Sequence, residues 1–448
     1  MALNNIKPPS TADLAAMWQA SGLKDKIIFT LLMVVAFRFG AQIPIYGINN
    51  TIFQNIAAGN NIIGFLDLFS GGALGKVSMF ALGIGPYITA QIIVQLVSVV
   101  IPSLEKLQKE EGEAGRRKLA QYTRIFTVVL ALFQSVIFMI FMSKLPAAIL
   151  PGISHTMFFI SSISALTAGS VLVMWISELI TEHGIGNGGS LIIFVGIISG
   201  IPLYSQRTSE LVTQDPSLQF GLFALLAIFF ATMVLIVIMQ EAMRKVIIVN
   251  PKRQVGNKVY GGVNTYIPFK LNPGGVMPII FAIAILLFPS TILSVLGQAN
   301  LPGSLGTFVL AMNKIFSPSG AWYYIIYFTM IVLLTFFYAS IMPNMQPKEI
   351  ANNLKKYGSS IPGIKPGKPT ADALDKILSR VTFIGAFALG IIALVPSFTS
   401  YLTKITTVQG IGATSLIIMV GVALDLINQV RTHLLAKNYE SFLKDKEG

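Results

Sequence analysis

The sequence lacks cysteine and has little charge. None of its 448 residues is cysteine, three are histidine, and 11% are charged. Without thiols the chain can form no disulfide, thiolate nucleophile or cysteine-based metal centre, and three histidines argue against a histidine-rich metal site. Soluble domains have about a quarter of their residues charged, whereas 54% of these residues are hydrophobic. The composition therefore predicts an all-α protein that crosses a membrane several times.

The N-terminal 26 residues also lack a long apolar run, so we expect no cleavable signal peptide there. Further along, ten segments are apolar and close to the length of about 20 residues that a membrane-spanning helix needs. They cover approximately 27–46, 77–100, 121–142, 156–178, 188–204, 218–240, 274–297, 321–342, 381–401 and 409–429. Five spans precede Pro216 and five follow it, which predicts halves at 1–216 and 217–448. An odd number of spans per half makes related halves inverted, as in many transport proteins.

The positive charges of this chain are unevenly distributed. With ten spans, 26 of the 32 lysines and arginines lie on the side of the two termini. Cytoplasmic loops carry an excess of lysine and arginine. The charge distribution therefore predicts that both termini are cytoplasmic.

Two of the predicted cytoplasmic loops are long and basic. Residues 241–272 alternate apolar and polar through KVIIV and turn at Asn-Pro, which predicts a β-hairpin. Residues 343–380 combine a short helix with a tip rich in glycine and proline. The excess of positive charge on the cytoplasmic side explains the sign of these loops but not their length. The loops suggest docking of a large cytoplasmic partner, and an anionic one such as ribosomal RNA would fit.

One segment is too short to span a bilayer. GFLDLFSGGALGK, at 64–76, is largely apolar but contains Asp67 and a Gly-Gly pair. It lies between two long apolar segments, which predicts a half-segment that enters the membrane and returns.

Few residues are suited to chemistry inside the membrane. Glu178, Glu182 and His183 could form a proton relay or metal site, but the following GIGNGG is a helix stop, so we favour a hydrated helix end. Arg38 lies deeper and is expected to face the bundle interior or to snorkel. The sequence contains no nucleotide-binding or hydrolase motif and no polar mid-span site. A small-solute transporter is therefore the second hypothesis, and an intramembrane enzyme or a structural scaffold is less favoured.

Seven stretches in order resemble the SecY-type protein-conducting channels over essentially the whole chain. These are FRFGAQIPIYGI, LFSGGALGKVSMFALGIGPYITAQIIVQL, IPSLEKLQKEEGEAGRRK, TEHGIGNGGSLIIF, FKLNPGGVMPIIFA, SSIPGIKPGKPT and GATSLIIMVGVALD. SLEKLQKEEGE and YIPFKLNPGGVMPIIFA look like the branch found in photosynthetic membranes.

The resemblance implies a protein-conducting channel with ten helices in two inverted halves around an hourglass pore. Such channels pass unfolded secretory polypeptides and release membrane helices laterally into lipid. The release would occur at a lateral gate, with spans two and three on one side and spans seven and eight on the other. Pro278 and Pro289 suit span seven to bending. The half-segment, at about 62–72, would be a plug helix that closes the pore. Its residues are Ile63, Gly64, Phe65, Leu66, Asp67, Leu68, Phe69, Ser70, Gly71 and Gly72.

The resemblance also implies a pore ring of bulky aliphatic side chains. By motif, the ring positions fall on Ile84, Ile88, Gly189, Ile193, Ile280 and Ile418. Gly189 departs from the aliphatic residue usual in the family, a gap that Leu191 or Ile192 could fill.

The partners implied by the resemblance are SecE-type and SecG-type small subunits, the SecA motor, the ribosome, signal peptides, nascent chains and the lipid bilayer. The docking residues would be Lys252, Arg253, Lys258, Lys355, Lys356, Lys365 and Lys368. Lys365 stands where the family usually has arginine. No cofactor and no enzymatic activity are expected, and the membrane would be the plasma (inner) membrane or the thylakoid.

Overall fold

A computed structural model describes most of the chain. The residues described are 22–48, 67, 70–109, 112–143, 149–150, 154–255, 258–261, 265–297, 304–317, 320–341, 346–403 and 413–447. The helices within these residues are α1 (Leu23–Gly40), α2 (Gly85–Val100), α3 (Pro102–Lys109), α4 (Gly112–Ser143), α5 (His155–His183), α6 (Gly188–Gln214), α7 (Gln219–Glu241), α8 (Met277–Gly297), α9 (Ser304–Phe316), α10 (Ala321–Ile341), α11 (Pro347–Lys356), α12 (Lys368–Thr403) and α13 (Ala413–Glu447). The strands are β1 (Met243–Ile248), β2 (Lys252–Val255), β3 (Lys258–Gly261) and β4 (Thr265–Lys270), and a 3₁₀ turn covers Pro216–Leu218.

The prediction of a mostly helical membrane protein is confirmed. In the described part of the chain, seven helices are long and apolar enough to cross a membrane. They are Gly112–Ser143, His155–His183, Gly188–Gln214, Pro216–Glu241, Ala321–Ile341, Lys368–Val395 and Thr414–Leu434. The other three predicted spans coincide with α1, α2 and α8. The count of ten spans stays a prediction.

The described residues group into two compact units. Unit 1 falls within Met1–Pro86, Val128–Ile201 and Val422–Gly448, and unit 2 within Tyr87–Thr127 and Pro202–Gly421. The arrangement of 1–216 and 217–448 as inverted halves stays a prediction.

In unit 1, helix α1 supports the turn between α5 and α6. The backbone N–H of Ile185 donates to Thr30 Oγ1 at 3.1 Å, and the rings of Phe29 and His183 lie 5.8 Å apart. Helix α5 ends at His183 and α6 begins at Gly188, which confirms the predicted helix stop. Glu182 and His183 are exposed there, in agreement with a hydrated helix end.

In unit 2, the strands form two antiparallel pairs. Strand β1 pairs with β4 from Met243↔Lys270 to Ile248↔Thr265, and β2 pairs with β3. This confirms the hairpin predicted within 241–272 and adds a second, smaller pair at its end. Because paired residues of an antiparallel ladder share a face, Val246 and Ile267 lie on one side of the sheet and Ile247 and Tyr266 on the other.

Two boundaries differ from the sequence analysis. The predicted loop 343–380 includes the start of α12, which begins at Lys368, because Leu374 and Leu378 bury one helix face there. Helix α9 lies in the predicted outer loop 298–320, where no helix is predicted from the sequence.

Candidate functional site

The chain turns sharply at two glycines at the end of the predicted half-segment. Gly71 and Gly72 have φ values of 71° and 82°, a left-handed conformation that glycine adopts at little cost. The N–H of Gly72 donates to the carbonyl oxygen of Asp67 at 2.9 Å. The half-buried carboxylate of Asp67 accepts a hydrogen bond of 2.6 Å from the N–H of Gly75. The acid thus binds the backbone of the turn that follows it.

Of the predicted plug residues, Asp67, Ser70, Gly71 and Gly72 are described. Ser70 is buried, and its hydroxyl accepts a hydrogen bond from the N–H of Leu74 at 2.9 Å. The remaining predicted plug residues lie outside the described residues and are Ile63, Gly64, Phe65, Leu66, Leu68 and Phe69.

Arg38 points into unit 1, as the sequence analysis allows. Its Nη1 donates to the carbonyl oxygen of Gly71 at 2.6 Å and to Ser199 Oγ at 2.8 Å. The arginine belongs to the last turn of α1, and the serine lies on α6. A cation at the end of one helix thereby joins a second helix to the Gly71–Gly72 turn.

The five isoleucines predicted for the pore ring are buried. Ile84 and Ile193 belong to unit 1, whereas Ile88, Ile280 and Ile418 belong to unit 2. Their arrangement as one ring stays a prediction.

Gly189, the sixth predicted ring position, lies beside Ile84 in unit 1. A Cβ atom at Gly189 would be 3.5 Å from Ile84 Cδ1 and 3.3 Å from Asn187 Oδ1. A methyl group of Ile84, another predicted ring position, would therefore be in ordinary van der Waals contact with a Cβ at position 189. Leu191 and Ile192, the predicted compensating neighbours, are buried.

The two long basic loops of unit 2 share an apolar core. We call this the loop core, and its buried residues are Val246, Phe269, Ile361, Leu374 and Leu378. The first two come from the sheet of one loop, and the other three follow α11 in the other loop. The loops that the sequence presents as separate projections therefore pack as one body.

Backbone hydrogen bonds reinforce this joint. The N–H of Val249 donates to the carbonyl oxygen of Ser360 at 2.9 Å, and the N–H of Ser360 donates back at 3.1 Å. The hydroxyl of Ser359 also donates to Asn250 Oδ1 at 2.8 Å. No pattern in the sequence predicts this contact, since serine and asparagine are common in any loop.

The predicted docking lysines of the second loop are exposed. Lys355 and Lys356 close α11, and Lys365 and Lys368 lie at the tip and at the start of α12; all four are exposed. Lys252, Arg253 and Lys258 lie on the small β2–β3 pair. A further basic residue, Lys245, places its Nζ 4.9 Å from the centroid of the Tyr266 ring, a cation–π distance that sequence reasoning did not anticipate.

Candidate metal ligands are not clustered in the described residues, where no group of three or more histidine, aspartate and glutamate side chains is placed to hold an ion. Glu182 and His183 are exposed at the end of α5.

Comparisons with known proteins connect these features to one family. The family model described as SecY matches residues 78–427. Protein translocase subunit SecY of Synechococcus elongatus is 45% identical over 454 residues, covering 99% of this chain and 100% of that protein. The subunit of the same name from Aquifex aeolicus is 40% identical and covers 96% of this chain and 99% of that protein.

Solved structures show the same fold. A structure described as a protein conducting channel superposes with a TM-score of 0.66 at 18% identity and covers 92% of each chain. Sec61 in the canine ribosome-channel complex superposes with a TM-score of 0.61 at 17% identity and also covers 92% of each chain. With its apolar helices and a family match over most of its length, this chain belongs to the SecY family.

Proposed function

We propose that this chain is the channel subunit of a protein translocase and not an enzyme. It passes unfolded secretory polypeptides across the membrane and releases membrane helices sideways into lipid. The observation that carries the proposal is the match to protein translocase subunits over 99% of the chain. The fold of solved protein-conducting channels supports it independently.

The pore ring suits a gasket for an extended chain. The side chains of Ile84, Ile88, Ile193, Ile280 and Ile418 offer no hydrogen bonds, so a polypeptide of any sequence can slide past them. A narrow apolar ring also resists wetting and hence ion leakage. Residues 62–72 would close the pore as a plug when no chain is present.

An apolar segment of the substrate would leave through the lateral gate. Transfer of apolar surface from water returns about 25 cal/mol per Å², which favours lipid for a hydrophobic helix. Pro289 lies inside α8, the predicted seventh span, and removes one helical hydrogen bond where the gate would bend.

The loop core gives the cytoplasmic partner a compact platform. Sec61 is described in a complex with the ribosome, and so is the yeast Ssh1 complex. By analogy, the exposed lysines of α11 and of the following tip would contact ribosomal RNA or the SecA motor. SecE-type and SecG-type subunits would complete the complex in the inner or thylakoid membrane, with both termini cytoplasmic.

The test uses the purified complex in planar bilayers and in proteoliposomes. We compare the intact chain with one that lacks residues 63–72, measuring ion conductance and uptake of a precursor that carries a signal sequence. We expect the intact complex to take up the precursor and to be silent at rest, and the deletion to leak ions.

Three outcomes are informative. Precursor uptake with a leaky deletion supports both the channel and the seal. Uptake without a leak keeps the channel but rejects the seal. A current that depends on a small solute, with no uptake of the precursor, would reject the translocase in favour of a transporter.

A further inference from the structure

We infer that Arg38 is a positioning residue that holds the end of the re-entrant segment in the closed channel, through the carbonyl of Gly71 and with the help of Ser199. This inference rests on the proposed function, since it concerns how the plug is fixed. We call the three residues the latch. All of them belong to the described part of unit 1.

The latch joins three parts of unit 1 at one point. Arg38 comes from the last turn of α1, Ser199 from α6, and Gly71 from the turn after the half-segment. The Nη1 atom of Arg38 lies 2.6 Å from the Gly71 oxygen and 2.8 Å from Ser199 Oγ. One guanidinium nitrogen therefore fixes the turn against two helices.

Ser199 orients the arginine. Its hydroxyl lies 3.5 Å from the carbonyl oxygen of Gly71, and it donates to the carbonyl oxygen of Gly196 at the much shorter distance of 2.7 Å. A serine hydroxyl has a single proton, so this bond leaves the oxygen free to accept from Arg38. The hydroxyl proton is thus used within α6, and the serine oxygen and the Gly71 oxygen both face the guanidinium.

Glycine suits this presentation of the carbonyl. A Cβ at Gly71 would be 3.2 Å from the Cα of Gly196 and 3.4 Å from Arg38 Nη1. Its φ of 71° would strain any other residue as well. The close contact between the turn and α6 therefore depends on glycine at position 71.

The chemistry of this bond suits a segment that must be released when the channel opens. A half-buried guanidinium in a membrane protein needs a partner, and a hydrogen bond from a charged donor is about twice as strong as a neutral one. Because the acceptor is one backbone carbonyl, the hold is strong yet breaks at a single point. Its strength also does not depend on which side chains the half-segment carries.

The test exploits the absence of cysteine. Ala73 follows the turn and is buried, so Ala73→Cys places a single thiol beside the latch. The complex in proteoliposomes is treated with a water-soluble maleimide, and the labelling rate of this thiol is measured. The rate with Arg38 unchanged is compared with the rates in Arg38→Met and in Ser199→Ala. Methionine keeps much of the length of the side chain but removes the donor.

We expect Arg38→Met to speed labelling of position 73 about tenfold, the effect of losing a hydrogen bond to a charged group, and Ser199→Ala to speed it less. Two controls accompany this. Arg207→Gln removes an exposed cation from the same helix, α6, and should leave the rate unchanged. Ala131→Cys, at a buried position of α4, reports general loosening and should stay unlabelled in Arg38→Met.

An unchanged rate at position 73 in Arg38→Met would overturn the latch. So would equal acceleration at positions 73 and 131, since that indicates general unfolding. These results do not affect the proposed channel, because precursor uptake is measured separately, with the complex in which Arg38 is unchanged. Conversely, loss of precursor uptake by the intact chain rejects the channel whatever the labelling shows.

Discussion

At the scale of single residues, two adjacent glycines at the start of α6 have opposite surroundings. A Cβ on Gly188 would lie 1.9 Å from the carbonyl oxygen of Ser177, which is backbone and cannot swing aside. At Gly189 the nearest contact of a Cβ would be 3.3 Å, to the side chain of Asn187. A Cβ at the first glycine would thus meet the backbone of α5, whereas a Cβ at the second would meet side chains only.

We therefore predict that Gly188→Ala destabilises the protein by about 1–3 kcal/mol, as overpacking does, and lowers the midpoint of thermal unfolding in detergent. Gly189→Ala is the matched control and should lower the midpoint much less, because the only tight contact of its Cβ is with the Asn187 side chain. Equal midpoints for the two variants would contradict the close approach of α5 and α6.

Part of this residue-scale picture could be predicted from the sequence. GIGNGG indicates a helix stop by its composition alone, and Arg38 stands out as a cation in an apolar span. What Arg38 binds could not be predicted, because a backbone carbonyl such as that of Gly71 carries no signature in the sequence. The glycine at position 189 is visible as a departure from the family, but the methyl of Ile84 beside it follows only from three-dimensional packing.

At the scale of elements, the loop core makes the two basic loops dependent on each other. Phe269 and Tyr266 are aromatic residues of the same strand, and they are 1% and 53% exposed. Phe269 lies in the loop core, whereas Tyr266 is on the opposite face of the sheet.

We predict that Phe269→Ala costs about 3–5 kcal/mol of local stability, because it leaves a cavity in the loop core. Limited trypsin digestion should then cut faster in both 241–272 and 343–380, although the change lies in the first loop only. Tyr266→Ala should leave both cleavage rates nearly unchanged. Faster cutting confined to the first loop would show that the loops are independent.

The elements themselves were largely predictable, but their packing was not. The alternation in KVIIV predicts the sheet, and the lysine-rich helix before the glycines of 343–380 appears as α11. The contact between Val249 and Ser360 joins residues far apart in sequence, and no pattern around either residue predicts it. For the same reason the apolar pattern of the sequence predicts the start of α12 too late. The first turns of α12 bury their apolar face against the sheet and not in lipid.

At the scale of the whole molecule, the distribution of charge predicts orientation. Asn352 lies on α11 in a basic loop, and Thr213 lies near the end of α6; both are exposed. If the basic loops are cytoplasmic, a membrane-impermeant maleimide added to intact cells should label Thr213→Cys and not Asn352→Cys. After the cells are opened, both should react. The reverse pattern would place the termini outside.

Charge should also govern docking of the ribosome. Lys355 and Lys356 are exposed at the end of α11. Changing both to glutamate should weaken binding and reduce the salt slope of log K by about 2, one unit for each lost phosphate contact.

The control for this prediction is Arg207→Glu with Lys314→Glu. Both residues are exposed, both lie in predicted outer loops, and the change in net charge is the same. Ribosome binding measured by co-sedimentation at several salt concentrations should be unaffected. An equal loss in both pairs would mean that the ribosome responds to total charge and not to α11.

The loop core also has a consequence for how the chain is made. Synthesis proceeds from the N-terminus, so Val246 and Phe269 leave the ribosome about a hundred residues before Leu374 can cover them. During that interval the apolar face of the sheet is not yet covered by Leu374 and Leu378, while α8 and α10 are still being inserted. The sheet is therefore covered only when α12 arrives, and a chain truncated before Leu374 should be a target for chaperones or proteases even when its preceding helices are correctly placed.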